Sequence, residues 1–173
     1  MTRVLVVDDE ATARAYMSRF LKLLGLEPAM AADVSAGLEA AVREQPRLMF
    51  VDWCLSGGGS GLELVRNLRA EPRTKHIPVV MMSSVKKTDE DELVALLAGA
   101  DRFFIKHELS FGADEGRTLK SHLAALILLG AQRASQGEDP LKKILQVGDL
   151  RLDPARAVVS VAGRPVNLNR KEF

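Results

Sequence analysis

With 173 residues, 47% apolar and 27% charged, the chain has the composition of a globular protein with room for one sizeable domain, or one domain and part of another. No apolar stretch approaches the roughly 18 residues of a membrane span, and the N-terminal Met1-Thr2-Arg3-Val4-Leu5-Val6-Val7-Asp8-Asp9 is too short in apolar core and too acidic for a signal peptide. The one cysteine, Cys54, excludes an internal disulfide framework and fits a reducing cytoplasm.

A net charge of +1 conceals a split. From Leu141 onward seven basic residues stand against three acids, whereas the first 140 residues carry 17 basic and 20 acidic ones. Such a split suggests two modules, the second facing something anionic, although ordinary fluctuation in a short segment produces the same imbalance.

In chain order, Arg3 to Val7 reads as a strand ending in Asp8-Asp9. Glu10 to Leu24 reads as a helix, with Ala13, Tyr16 or Met17, Phe20, Leu21 and Leu24 at spacings of three and four, and Gly25 stands where a left-handed cap belongs. Leu26 to Ala31 reads as a strand, placed at a sheet edge because Pro28 cannot donate to a ladder. Asp33 caps a helix through Glu44, with Pro46 after its end.

Leu48-Met49-Phe50-Val51 runs straight into Asp52 and then into the glycine-rich turn Ser56-Gly57-Gly58-Gly59-Ser60-Gly61, the pattern of a buried strand in a parallel sheet. Leu62, Leu64, Val65 and Leu68 mark a helix to about Ala70. Pro78 opens a strand from Val79 to Ser83, and Asp89 to Leu97 is a helix with an acidic first turn, which suits the helix dipole. Gly99-Ala100-Asp101 turns into a fifth strand, Arg102 to Ile105, ending at Lys106. A last helix spans about Asp114 to Ala131, with Leu119, Leu123 and Leu126 or Ile127 on one side.

Five βα units in strict alternation predict a flavodoxin-like, doubly wound parallel sheet. Right-handed crossovers and the edge proline favour strand order 2-1-3-4-5. Residues 133–144 read as a polar linker. Beyond it, alternating Leu145, Val147, Leu150 and Leu152, then Ala157 to Val161, a turn at Ala162-Gly163-Arg164, and Pro165 to Leu168 predict a small antiparallel sheet. The expected organisation is thus a domain over 1–132, a linker over 133–144 and a second module over 145–173.

In a parallel sheet the C-terminal strand ends share one edge, so Asp8, Asp9, Asp52, Ser83 and Lys106 are expected to converge there. Three neighbouring carboxylates repel one another, and a hard cation such as Mg²⁺ relieves the repulsion while keeping sites for substrate oxygens. Lys106 adds a positive charge for an anion, most naturally a phosphoryl group, and Asp52, the central carboxylate, is the candidate nucleophile. Singly, each residue has a plainer reading: an acidic helix start, a strand-end hydroxyl, a solvated loop lysine.

Together, Val7-Asp8-Asp9-Glu10, Asp52, Pro78-Val79-Val80-Met81-Met82-Ser83-Ser84 and Gly99-Ala100-Asp101 through Lys106 resemble a two-component response-regulator receiver domain. The resemblance implies that Asp52 takes phosphate from a sensor histidine kinase. Asp9, Asp52 and the Cys54 backbone carbonyl would ligate Mg²⁺, Asp8 acting partly through water. Ser83 would bond the phosphoryl oxygen, Lys106 would pair with it, and Phe103 would be the aromatic switch. The implied protein is cytoplasmic, catalyses only its own phosphorylation and dephosphorylation, and is expected to form a phosphorylation-dependent homodimer. An aspartyl phosphatase is disfavoured, because its second acid would stand at position 54.

Gly148-Asp149-Leu150-Arg151-Leu152-Asp153, Gly163-Arg164-Pro165-Val166-Asn167-Leu168 and Lys171-Glu172-Phe173 resemble the opening of an OmpR/PhoB-type winged-helix domain. DNA contact is then expected only through residues beyond Phe173, in a chain that is either a fragment or a naturally short regulator. The sequence departs from the receiver pattern at Ser56 and His107, where prolines are usual, and at Arg102, where an acid is usual. The Asp52 to Gly61 loop is about one residue longer than common, and Leu109 to Ala113 is inserted. A degenerate receiver acting as a constitutive interaction module is the alternative these departures allow.

Overall fold

The computed structural model describes residues 2–56, 59–84, 88–106 and 113–136, then the strand segments 145–147, 150–153, 158–161 and 164–166; for residues 113–120 and after 135 the description is of the backbone. The expectations at Gly57, Gly58 and His107, most of the Leu109 to Ala113 insertion, residues 137–144 of the linker and Lys171-Glu172-Phe173 lie outside these residues.

The elements alternate: β1 (Arg3–Val7), α1 (Ala11–Leu23), β2 (Glu27–Ala31), α2 (Val34–Glu44), β3 (Leu48–Asp52), α3 (Gly61–Ala70), β4 (Val79–Ser83), α4 (Asp89–Leu97), β5 (Arg102–Ile105) and α5 (Ala113–Gln136). The five strands are all parallel in the order β2-β1-β3-β4-β5, the flavodoxin-like arrangement expected. Pro28 lies on β2, whose neighbour is β1 alone, so the missing N–H costs no interior ladder bond.

Strand side chains alternate between faces. Leu5, Val7, Met49, Val51, Val79 and Met81 pack beneath α2, α3 and α4 against Ala40, Ala41, Leu64, Leu68 and Ala95. Val4, Val6, Leu48, Phe50, Val80 and Met82 pack on the other face with Met17, Phe20 and Leu21 of α1 and Leu123 and Leu126 of α5. Burial on both faces explains why β1, β3 and β4 are unbroken apolar runs. Of the pair left open on α1, Met17 enters the core and Tyr16 faces outward.

Local signals set the helix ends. Asp33 Oδ1 accepts from Ala36 N at 2.8 Å, Ser60 Oγ from Glu63 N at 3.2 Å, and Thr88 and Asp91 form a reciprocal capping box. Gly25, at φ +78°, closes α1 as expected. The largest departure is at α5, which continues through Arg133 to Gln136 where the sequence suggests a linker from Arg133. A largely buried ion pair from Arg133 to Asp101, 2.6 Å between Nη2 and Oδ1, holds that last turn.

After α5, β6 (Leu145–Val147), β7 (Leu150–Asp153), β8 (Val158–Val161) and β9 (Arg164–Val166) form an antiparallel sheet in sequential order. Of the expected runs, Ala157 and Asn167-Leu168 lie outside the described residues.

Candidate functional site

The site is assembled from strand ends. Asp8 N–H donates to Ala31 O at 3.2 Å, so the β1–β2 ladder delivers Asp8 one residue past Val7. Its carboxylate is fully buried: Oδ1 accepts from Glu10 N at 3.0 Å, and Arg14 Nη1 donates to the Asp8 carbonyl at 2.7 Å. Oδ2 has the Lys106 ammonium, 2.7 Å away, as its partner among the described residues. A buried carboxylate oxygen with only a charge beside it is suited to a cation.

Asp52 closes β3 at 6% exposure. Its pairing with Met82 aligns β3 with β4, and Trp53 N–H extends the ladder to Met82 O at 2.8 Å. Gly61, the first residue of α3, packs so closely that a Cβ there would stand 2.0 Å from the Asp52 carbonyl oxygen. This explains the glycine: the chain must return directly over the end of β3, and Gly61 N–H bonds Trp53 O at 3.0 Å as it does so.

Lys106, one residue past β5, reaches both acids, with Nζ 2.7 Å from Asp8 Oδ2 and 3.2 Å from Asp52 Oδ1. Asp9 is exposed and its Oδ2 accepts from Ser56 N at 3.2 Å. Asp8, Asp9 and Asp52 each offer an oxygen, all within 4.8 Å of one another. Such a hard, all-oxygen donor set fits Mg²⁺ with open positions for further oxygens.

Burial pushes the Asp52 carboxyl above the usual range; the Lys106 charge opposes this and the Asp8 charge adds to it. Burial works against the Lys106 charge too, but its hydrogen bond to Asp8 and the charges of Asp52 and Asp8 outweigh it and hold the ammonium above its ordinary value. The site therefore keeps its lysine charged while burying a carboxylate that gains by finding a cation or an electrophile.

Ser83 ends β4, buried, one residue beyond the Asp52–Met82 register, so it stands at the same edge. Phe103 lies across from Met81 on β5, half-buried, and meets Trp53 edge to face, with centroids 6.0 Å apart and planes at 87°. Cys54 is exposed on the loop after β3 and pairs in an isolated antiparallel bridge with Ser60.

Three participants escape the sequence. Arg14 falls within the expected helix but outside its apolar period, and nothing in that pattern marks its bond to the Asp8 carbonyl. Ser56 carries a usable backbone N–H because it is not proline, which is a signal visible in the sequence. The Trp53–Phe103 contact joins the residue after β3 to β5, 50 positions away, and has no local signature.

Comparisons with known proteins agree on one group. Residues 4–110 match the family described as the response regulator receiver domain. The phosphate regulon transcriptional regulatory protein PhoB of Escherichia coli is 30% identical over 171 residues, which are 99% of this chain and 69% of PhoB. The sensory transduction protein RegX3 of Mycolicibacterium smegmatis is 31% identical over 173 residues, all of this chain and 70% of RegX3. Among solved structures, NtrX from Brucella abortus superposes with a TM-score of 0.64 at 30% identity over 79% of this chain and 29% of NtrX.

Proposed function

The chain belongs to the response regulator receiver family, and from that premise we propose that it is a phosphorylation-activated switch in which Asp52 accepts a phosphoryl group from a sensor histidine kinase. The reading is carried by one observation: the Lys106 ammonium sits 2.7 Å from Asp8 and 3.2 Å from Asp52, at the edge where Asp9 completes the acidic group. Asp8, Asp9 and Asp52, with the Cys54 backbone carbonyl, would hold Mg²⁺, which when bound offsets the negative charge of the acids and of phosphoryl oxygens.

An Asp52 carboxylate oxygen forms the new bond to phosphorus as the bond from phosphorus to the kinase histidine nitrogen breaks. The electron pair leaves with the imidazole, which takes up a proton. Lys106 pairs with the transferred group, replacing part of the attraction it has for Asp52 in the resting site. Ser83 donates its hydroxyl to a phosphoryl oxygen, and Phe103 turns inward behind it. The edge-to-face contact between Phe103 and Trp53 would make Trp53 fluorescence a reporter of that movement. Attack of water on phosphorus later returns the free carboxylate and inorganic phosphate, so self-phosphorylation and dephosphorylation are the only catalysis proposed.

We read the β6–β9 sheet as the N-terminal part of an OmpR/PhoB-type DNA-binding domain, and the output as control of transcription. The partners are then the kinase, DNA and, after phosphorylation, a second copy of the chain. Incubation with Mg²⁺ and a small-molecule phosphodonor tests the chemistry. One acid-stable, base-labile phosphoryl group is expected on Asp52 by mass spectrometry, and none on Asp52→Asn. Failure of the wild type to label, or equal labelling of the variant, would leave the constitutive interaction module as the better reading.

A further inference from the structure

We propose that the backbone N–H of Ser56 is a positioning group for the cation site, holding the Asp9 carboxylate where it can ligate Mg²⁺. The inference rests on the Mg²⁺ reading above and deepens it. Its observation is the 3.2 Å hydrogen bond from Ser56 N to Asp9 Oδ2, between residues 47 apart in the chain.

The three acids are not held alike. Asp8 is walled in and bonded by Glu10 N–H and Lys106, and Asp52 is buried against Lys106. Asp9 is exposed, and among the described residues Ser56 N–H is the group that bonds its carboxylate. An exposed aspartate samples several rotamers, and ligation must select one of them; a bond already made in the metal-free protein lowers that ordering penalty. Oδ2 accepts one N–H and keeps a lone pair, and Oδ1 keeps both of its own, so the bond leaves donor capacity for a cation. The N–H dipole also offsets part of the repulsion that Asp9 feels from Asp8 and Asp52.

The donor is fixed by the base of its loop. Cys54 and Ser60 pair antiparallel, and Gly61 N–H returns to Trp53 O at 3.0 Å. Ser56 lies between these anchors and turns its amide towards the end of β1. The side chain of Ser56 is not used, which makes the idea separable from a role for the hydroxyl. Alanine keeps the N–H, whereas proline has none.

Mg²⁺ titrations of the full chain, followed by Trp53 fluorescence, are expected to give Ser56→Ala an affinity within about twofold of wild type and Ser56→Pro one about three- to tenfold weaker. Because coupling is reciprocal, Mg²⁺ should also slow amide hydrogen exchange at Ser56 in wild type. In metal-free Asp9→Ala, whose acceptor is gone, that amide should exchange several-fold faster than in metal-free wild type. The exchange measurements do not depend on how proline is accommodated. Equal affinities for Ser56→Pro and Ser56→Ala, or Ser56 exchange indifferent to Asp9→Ala, would overturn the inference while leaving Mg²⁺ binding intact. A wild type that shows no Mg²⁺ response would instead overturn the Mg²⁺ reading, and this inference with it.

Discussion

Asp52 is an acid that the metal-free fold holds at a cost. Burial raises its pKa above the unfolded value, and Lys106 does not fully compensate. A carboxyl raised in the folded state contributes stability that is fully present below the unfolded pKa and is lost as pH rises through the folded one. At neutral pH the ionised Asp52 therefore weakens the fold. Asp52→Asn should melt on the order of a few degrees higher than wild type at pH 7 without metal. That advantage should shrink as pH is lowered below the ordinary aspartate range. Mg²⁺ should narrow it from the other side, since ligand at about 100 times its dissociation constant stabilises the binding form by about 2.7 kcal/mol. Calorimetric melts across pH, with and without Mg²⁺, check all three effects. The strand-end acids and Lys106 were legible in the sequence because a parallel sheet places such ends together. The Ser56 bond was not, because it depends on where a loop amide points.

Among the elements, α3, the turn before β5 and α5 meet in a charged knot at the opposite edge of the sheet from Asp52. Arg69 is buried to 1% side-chain exposure and donates to the carbonyls of Gly99, Lys75 and Ile77. Asp101 Oδ2 accepts from Arg69 Nη2 at 3.0 Å and from Val79 N at 2.8 Å, while its Oδ1 meets Arg133 at 2.6 Å. Burial pulls the Arg69 pKa down, Asp101 restores part of it, and the Arg133 charge works against it. The two arginines are therefore not equivalent. Asp101→Ala strands a buried guanidinium and a strand amide together, and should cost about 3–5 kcal/mol in denaturant unfolding. Arg133→Gln loses one pair but relieves Arg69 of a like charge, and should cost only about 1–2 kcal/mol. Faster amide exchange is expected over the last turn of α5 in that variant. The sequence places Arg133 in a linker because the apolar period ends there. What holds the turn is an ion pair to a residue 32 positions back, and no local pattern records it.

For the whole molecule, the fold was legible because each level agreed: apolar runs where strands are buried on both faces, three-and-four spacing on the helices, glycine and capping residues at the ends, and a proline on the edge strand. The boundary of the first domain was less legible, and core placement gives it a physical meaning. Both apolar clusters lie between Val4 and Leu129, and the acidic group and Lys106 fall within that span. A chain cut after Gln136 should therefore unfold in one cooperative transition and retain the Mg²⁺ response of Trp53. A chain cut after Gln132 keeps every residue of the two clusters but lacks Arg133. If the boundary is set by apolar packing alone, the two should be equally stable. If the ion pair belongs to the domain, the shorter chain should lose at least the roughly 1–2 kcal/mol assigned to Arg133→Gln, plus the fraying of an α5 that has lost its last turn. Urea unfolding of the two truncations beside the full-length Arg133→Gln variant separates these cases. The second is expected, because Asp101 Oδ1, already buried with Arg69 on its other oxygen, would be left without the partner that now meets it at 2.6 Å.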